Sequence, residues 1–129
     1  MIAYADDLTI APSDPLWRRV PPAWVVFDGN LGRLRPTSAA FDDPRNGSPM
    51  SVVLGRALQE SGRTPESALA FHRDFLLASI TAGLARDLGQ VVAREPQPDE
   101  PAHAVVAGRK TGRVKDAFAK QAVWIIPPL

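Results

Sequence analysis

The sequence predicts a small α+β domain with a mixed, mainly antiparallel sheet and two or three short helices. Short runs of β-branched and aromatic residues alternate with helix-like segments along the chain. Thirteen prolines and nine glycines interrupt these runs, so the elements must be short. The 129 residues suffice for one hydrophobic core and are too few for two, which predicts a single domain over residues 1–129.

Residues 1–15 are predicted to form an extended N-terminal arm. Pro12 and Pro15 interrupt this segment, and it carries three acidic residues without a basic one. We therefore expect the arm to be loosely attached and to contribute little to the core.

Three short strands are predicted in the N-terminal half. The stretches "LWRRV" (16–20) and "WVVF" (24–27) are rich in aromatic and β-branched residues, and the second ends at the turn "DGNLG". Residues 33–49 are predicted to be mostly loop. The third strand is "MSVVL" (50–54), and "GRALQESGR" (55–63) after it has the composition of one or two helical turns.

A helix is predicted to begin at Pro65, because Thr64 is a suitable N-cap and proline is favoured at the first helical position. Its end is open to two interpretations. It runs either to Leu88 as one helix, or only to about His72, with "FLLASI" (75–80) as a strand before a second helix. We favour the strand, because a helix of roughly 24 residues is about twice the average length and this one would be apolar almost all round.

The last third of the chain repeats the order of strand and helix. "QVVAR" and "AHAVVAG" are predicted strands, "TGRVKDAFAKQA" a helix and "VWII" a final strand. Residues 75–126 therefore have the βαββαβ order of the ferredoxin-like arrangement. In that arrangement strand 75–80 lies antiparallel beside strand 102–107, with both helices on one face of the sheet.

This neighbour relation predicts a basic corner where strand 102–107 turns into the next helix. It brings His72 and Arg73 towards the start of that helix, whose free amides and positive dipole end favour a phosphate or carboxylate. The other expected ligand-binding residues are Arg109, Lys110, Thr111 and Arg113. The corner is not a Walker loop, because Arg109 stands where that motif needs its second glycine. The alternative is a solvated strand-to-helix turn with Thr111 as N-cap.

The two histidines receive different predictions. His72 is a candidate general base, because imidazole exchanges protons near neutral pH. Its alternative is a partly exposed residue at a helix end. His103 begins an apolar strand and is predicted to be a hydrogen-bonded strand residue rather than a catalyst. No metal site is predicted, since neither histidine has a carboxylate at ligand spacing, and no Ser/His/Asp pattern is present.

A second candidate site lies in "LWRRV" and the later "RLRPTSAAF". An aromatic–arginine strand followed by a serine-containing strand resembles the first two motif positions of ADP-ribosyltransferase-like NAD-binding domains. The resemblance implies that Arg18 and Ser38 help to hold a dinucleotide, but no glutamate can be assigned as the third element. The alternative is that strand alternation places Arg18 and Arg19 on opposite faces as structural residues.

Charge and composition limit the partners. A net charge of +1 excludes a general nucleic-acid or membrane footprint, and the absence of cysteine excludes disulfides and thiolate nucleophiles. Five bases within residues 109–120, extended by Arg18, Arg33 and Arg35, could contact nucleic-acid phosphates. The three tryptophans, however, lie in apolar stretches, which argues against exposed stacking platforms. We expect a cytoplasmic protein without a membrane segment; a protein partner is possible, and the cofactor and oligomeric state are open.

Two functions are therefore predicted. The first is a small, soluble, bacterial-type binding or accessory protein that recognises a nucleotide or nucleic-acid phosphate at the basic corner. The second is an NAD- or nucleotide-using enzyme with Arg18, Ser38 and His72 in a cleft. A cleft that joins the N-terminal strands to His72 would favour the enzyme, and a flat basic face would favour binding.

Overall fold

A computed structural model describes residues 3–129, which contain eight strands, three α-helices and two 3₁₀ helices. The strands are β1 (Pro15–Val20), β2 (Val25–Asp28), β3 (Arg33–Pro36), β4 (Met50–Leu54), β5 (Leu76–Thr81), β6 (Val91–Arg94), β7 (His103–Ala107) and β8 (Val123–Ile126). The helices are α1 (Gly55–Glu60), α2 (Ala82–Asp87) and α3 (Gly112–Gln121), with a first 3₁₀ helix (Ser38–Phe41) and a second (Pro65–Leu69). Within the described residues, no helix is long and apolar enough to cross a bilayer.

Six strands form one antiparallel sheet in the order β6-β7-β4-β1-β5-β8, and β2 and β3 form a separate hairpin. This confirms the predicted α+β class with a mainly antiparallel sheet. The central strand β1 pairs with β5 along all six of its residues. It pairs with β4 only at Leu16–Leu54 and Trp17–Val53.

The predicted βαββαβ order of elements is present from β5 to β8, but the predicted contact between its first and third strands is wrong. Strands β5 and β7 are not neighbours, because β1 and β4 lie between them. The physical reason is burial on both faces: Leu16, Trp17, Val52 and Val53 are all at most 2% exposed. Strands with both faces buried belong in the centre of a sheet.

The arginine pair on β1 marks the two faces of the sheet. The Arg18 guanidinium donates to the backbone oxygen of Ala40 in the first 3₁₀ helix, and Arg19 donates to that of Ala68 in the second. Alternation along the strand thus sends the two side chains to opposite layers. On the Arg18 side, α3 packs against the first 3₁₀ helix through Phe41 and Phe118, whose ring centroids are 5.7 Å apart.

The ambiguous segment after Pro65 has two parts. A 3₁₀ helix ends at Leu69 and β5 begins at Leu76, so the favoured strand interpretation is confirmed. The prediction that residues 33–49 are mostly loop is wrong for β3, which pairs with β2. An Arg35–Asp28 ion pair of 2.7 Å stabilises this hairpin. The four residues of β3, two of them arginines, are too short a run to indicate such pairing in the sequence.

The N-terminal arm is not loosely attached, and it contains turns in which the Ile10 amide donates to the Asp7 oxygen and the Asp14 amide to the Ala11 oxygen. The Asp7 amide donates to the backbone oxygen of Val92 at 2.8 Å, and the Val92 amide donates to the Asp6 carboxylate at 2.8 Å. The arm therefore covers the edge strand β6. Ile10 is fully buried in the core, which overturns the expectation that the arm contributes little to it.

Ile10→Ala should lower the free energy of unfolding by about 2–5 kcal/mol, because it removes buried methyl groups and leaves a cavity. Leu8→Ala, two residues away in the same arm, is the matched control because Leu8 is 85% exposed. Urea unfolding followed by circular dichroism measures both. Equal stability of the two variants would mean that the arm does not belong to the cooperative core.

Candidate functional site

The fold separates the two halves of the predicted basic corner. Strand β7, which leads into residues 108–111, is three strand positions from β5, which follows His72 and Arg73. Because neighbouring strands are about 4.8 Å apart, the axes of β7 and β5 are separated by roughly 14 Å. The expectation that His72 and Arg73 approach the corner is therefore wrong, because β4 and β1 stand between the strands that carry the two groups.

Lys110 of the corner is occupied by contacts within the protein. Its ammonium donates to the backbone oxygens of Val106 (2.8 Å) and Gly108 (3.1 Å) and lies 3.0 Å from a carboxylate oxygen of Asp43. The side chain is 2% exposed. Burial lowers the pKa of Lys110, and the Asp43 contact opposes that shift only in part. All three N–H donors thus have partners, and none faces solvent.

The rest of the corner matches the turn alternative. The Thr111 hydroxyl accepts from the Val114 amide at 3.3 Å and caps α3. Gly108 has φ +151°, which favours glycine, and a Cβ there would lie 2.6 Å from the Gln90 side chain. Arg109 and Arg113 are exposed and have no side-chain partner within residues 3–129. These two arginines are therefore the side chains of the corner that are free to bind an anion.

Most of the other bases that could have made a phosphate-binding surface have internal partners. Arg33 donates to the backbone oxygens of Lys120 and Ala122 at the end of α3. Arg35 pairs with Asp28, as described above, and Lys115 lies 3.2 Å from the Asp42 carboxylate. These contacts serve the fold, because they tie the hairpin and the loop after the first 3₁₀ helix to neighbouring elements.

Arg18 is held by three backbone oxygens. Its Nε donates to Ala40 (2.8 Å), its Nη1 to Ser51 (2.8 Å) and its Nη2, more weakly, to Asp42 (3.4 Å). Burial, followed by the positive charge of Arg19, lowers the pKa of Arg18 to about 10, so the group is still charged at neutral pH. Ser38, its predicted companion, starts a 3₁₀ helix rather than lying in a strand.

A cleft of about 240 Å³ lies where β1 and β4 stop pairing. Beyond the Trp17–Val53 pair, the Arg18 side chain bonds a β4 carbonyl oxygen in place of strand pairing. The cleft is lined by Trp17, Arg18, Arg19, Pro21, Trp24, Ser51, Val52, Val53, His72 and Phe75. It therefore joins β1 to His72, as the enzyme hypothesis expected, and Ser38 is not among its lining residues.

A second recess of about 180 Å³ shares Arg19 and His72 with the cleft. Its other walls are more polar and include Glu100 and Asp99. Glu100 is paired with Arg63 through two hydrogen bonds of 2.5 and 2.9 Å. Burial opposes ionisation of Glu100, but the bonds from Arg63 and the Ala102 amide outweigh it, so its pKa lies below the ordinary value. The charge of Glu100 is therefore balanced by Arg63.

Arg19 is the cation that faces both recesses. Its Nε donates to the backbone oxygen of Ala68 at 2.6 Å, which fixes the guanidinium. Its two terminal nitrogens have no hydrogen-bond partner within residues 3–129 and are not fully buried. Burial lowers the pKa of Arg19, while the charges of Glu100 and Asp99 oppose that shift.

Aromatic rings form the outer wall of the cleft. Trp24 is 40% exposed. The rings of His72 and Phe75 lie with centroids 4.7 Å apart and planes tilted by 32°. The prediction that no tryptophan is an exposed platform is therefore wrong for Trp24, because the short strand β2 begins after it and leaves it at the cleft rim.

A serine–histidine pair lies on the β4 side of the cleft. The Ser51 Oγ is 3.0 Å from the His103 Nε2, and the His103 Nδ1 is 2.8 Å from the Glu95 backbone oxygen. This confirms the prediction that His103 is a hydrogen-bonded strand residue. Ser51 was missed, because it is 52 positions away in sequence and the pairing of β4 with β7 carries no local signal.

No family model, curated protein or solved structure matches the chain. Within residues 3–129, no group of three or more histidine, aspartate or glutamate side chains is placed to hold a metal ion. The function must therefore be inferred from the cleft.

Proposed function

We propose that the protein binds a small ligand that carries a phosphate and an aromatic ring, as a nucleotide does, in the cleft between β1 and β4. The observation that carries this proposal is Arg19: an oriented, half-buried guanidinium with two free terminal nitrogens beside aromatic side chains. The proposal combines the nucleotide ligand of the first predicted function with the cleft of the second, and it makes Arg19 the central cation instead of Arg18.

The guanidinium of Arg19 suits a phosphate. A planar fork of N–H donors binds two phosphate oxygens at once, and it does so best when the side chain is already fixed. The bond to Ala68 supplies that fixation. Burial weakens hydration of the Arg19 charge, which favours pairing with an anion. The nearby carboxylates of Asp99 and Glu100 oppose a second anion, and Arg63 offsets the charge of Glu100 through its ion pair.

The aromatic wall suits a base. Trp24, His72 and Phe75 line the same cleft as Arg19. Stacking of a base on an aromatic side chain contributes about 1–3 kcal/mol and needs no sequence-specific contact. A nucleotide whose phosphate binds Arg19 and whose base stacks on this aromatic wall would contact both the cation and the rings of the cleft.

The basic corner is the competing site. Its free cations are Arg109 and Arg113, but both are exposed, and exposed charges bind anions weakly because water and salt screen them. Lys110, which the corner hypothesis needs most, is occupied by Asp43 and by backbone oxygens. We therefore rank the cleft above the corner.

Binding of AMP, adenosine and inorganic phosphate, measured by titration calorimetry, tests the proposal. AMP should bind more tightly than either fragment and more weakly as salt is raised. Arg19→Met should weaken AMP binding roughly 10- to 100-fold, the equivalent of about 1.5–3 kcal/mol for a charged hydrogen bond. Arg113→Met is the matched control and should leave the affinity unchanged. A loss confined to Arg113→Met, or no binding of any probe at low salt, would contradict the proposal.

A further inference from the structure

We propose that Ser51 is a nucleophile and His103 its general base, so that the cleft hydrolyses small carboxylic esters. This activity goes beyond ligand binding. It uses the same cleft, but it does not require that AMP be the ligand.

The tautomer of His103 is fixed by its surroundings. A backbone carbonyl oxygen can only accept, so the Nδ1 atom, 2.8 Å from the Glu95 oxygen, must carry the proton. In the neutral ring the free lone pair is then on Nε2, and the Ser51 hydroxyl donates to it at 3.0 Å. This is the arrangement in which imidazole removes the proton of a serine as it attacks.

The Glu95 carboxylate lies near the Nδ1 side of the His103 ring, opposite Ser51. Glu95 Oε1 lies 3.7 Å from the His103 Nδ1. The Tyr4 hydroxyl donates to Glu95 Oε2 at 2.7 Å and holds the carboxylate in place. A negative charge at this position stabilises the imidazolium that forms when the ring accepts a proton.

The sheet holds the two groups rigidly and leaves one side of the serine open. Val53 pairs with His103 and Ser51 with Val105, so Ser51 and His103 are diagonal neighbours on one face of β4 and β7. His103 is 4% exposed, whereas Ser51 is only half-buried and lines the cleft. The cleft is open there because β1 stops pairing with β4 after Trp17.

The reaction follows from these positions. The Ser51 Oγ bonds to the ester carbonyl carbon as its proton moves to His103 Nε2. The carbon–oxygen bond to the alcohol then breaks, and that oxygen takes the proton from Nε2. Water attacks the acyl group in the same way and gives its proton to Nε2, and Ser51 leaves with that proton. Ester and water thus become acid and alcohol, with the free donors of Arg19 in the same cleft to bind negative charge.

Labelling with a biotinylated fluorophosphonate, located by peptide mass spectrometry, tests the nucleophile. One adduct is expected, on Ser51; Ser51→Ala should abolish it, and Ser48→Ala, an exposed serine in the preceding loop, should retain it. His103→Gln should slow labelling at least about 100-fold, the usual contribution of a general base. If His103→Gln does not fold, hydrolysis of 4-nitrophenyl acetate is measured for Ser51→Ala and Ser48→Ala instead. Only Ser51→Ala should lose activity.

Absence of an adduct on Ser51, or equal labelling by a folded His103→Gln, would overturn the assignment and leave the pair as a bond between strands. AMP titration of the same samples separates the two proposals. Binding of AMP without an adduct overturns only the nucleophile, and an adduct without AMP binding overturns only the ligand class.

Discussion

Val105→Asp is expected to lower the free energy of unfolding by at least about 4 kcal/mol, which is a large fraction of the roughly 5–15 kcal/mol typical of a domain. Val105 is 1% exposed and sits in β7 between Ser51 of β4 and Ala93 of β6. An aspartate there buries a charge without a cation opposite it in either pairing strand. Urea unfolding monitored by circular dichroism measures the loss.

Val123→Asp is the matched control for that substitution. Val123 lies in β8, the edge strand at the other end of the sheet, and is 57% exposed. A carboxylate at this position stays in water, so the change should be within about 0.5 kcal/mol. A soluble Val105→Asp protein as stable as Val123→Asp would refute the interior position of β7 between β6 and β4.

Arg18→Met should destabilise the protein by about 3–6 kcal/mol. The substitution removes two charged hydrogen bonds of 2.8 Å, to Ala40 and Ser51, each contributing about 1.5–3 kcal/mol. Methionine fills the space but leaves both carbonyl oxygens without their donor. Chemical unfolding, read by tryptophan fluorescence, gives the difference from wild type.

Arg19→Met provides the comparison, because Arg19 makes one such bond, and its loss should cost only about 1.5–3 kcal/mol. Arg18, the predicted ligand-binding residue, is therefore expected to stabilise the fold, and Arg19 to bind the ligand. A stable Arg18→Met protein that has lost AMP binding would reverse this assignment.

The local elements could be predicted because their signals are local. Capping, secondary-structure propensity and hydrophobic periodicity depend on residues only a few positions apart. They indicate the helix after Thr111, the strand in the apolar stretch at 75–80 and the strand "MSVVL". The strand β3 was not predictable in this way, since it is only four residues long with two arginines, and its pairing depends on β2 and on the Arg35–Asp28 contact.

The site was less predictable, because it depends on which strands are neighbours. Insertion of β1 and β4 between β5 and β7 moves His72 away from the basic corner and brings Ser51 beside His103. The ion pair between Lys110 and Asp43 likewise joins residues 67 positions apart. Burial and pairing at such separations are properties of the assembled sheet and leave no pattern in the chain.

Mapping AMP onto the protein by ¹H–¹⁵N NMR tests the cleft most directly. If the ligand lies between β1 and β4, the largest amide shifts on titration should be at Arg19, Ser51 and Phe75, with the Trp24 indole signal moving too. Residues 109–113 should stay unchanged. Shifts confined to residues 109–113, or none at all at millimolar AMP, would contradict the assignment of the cleft as the binding site.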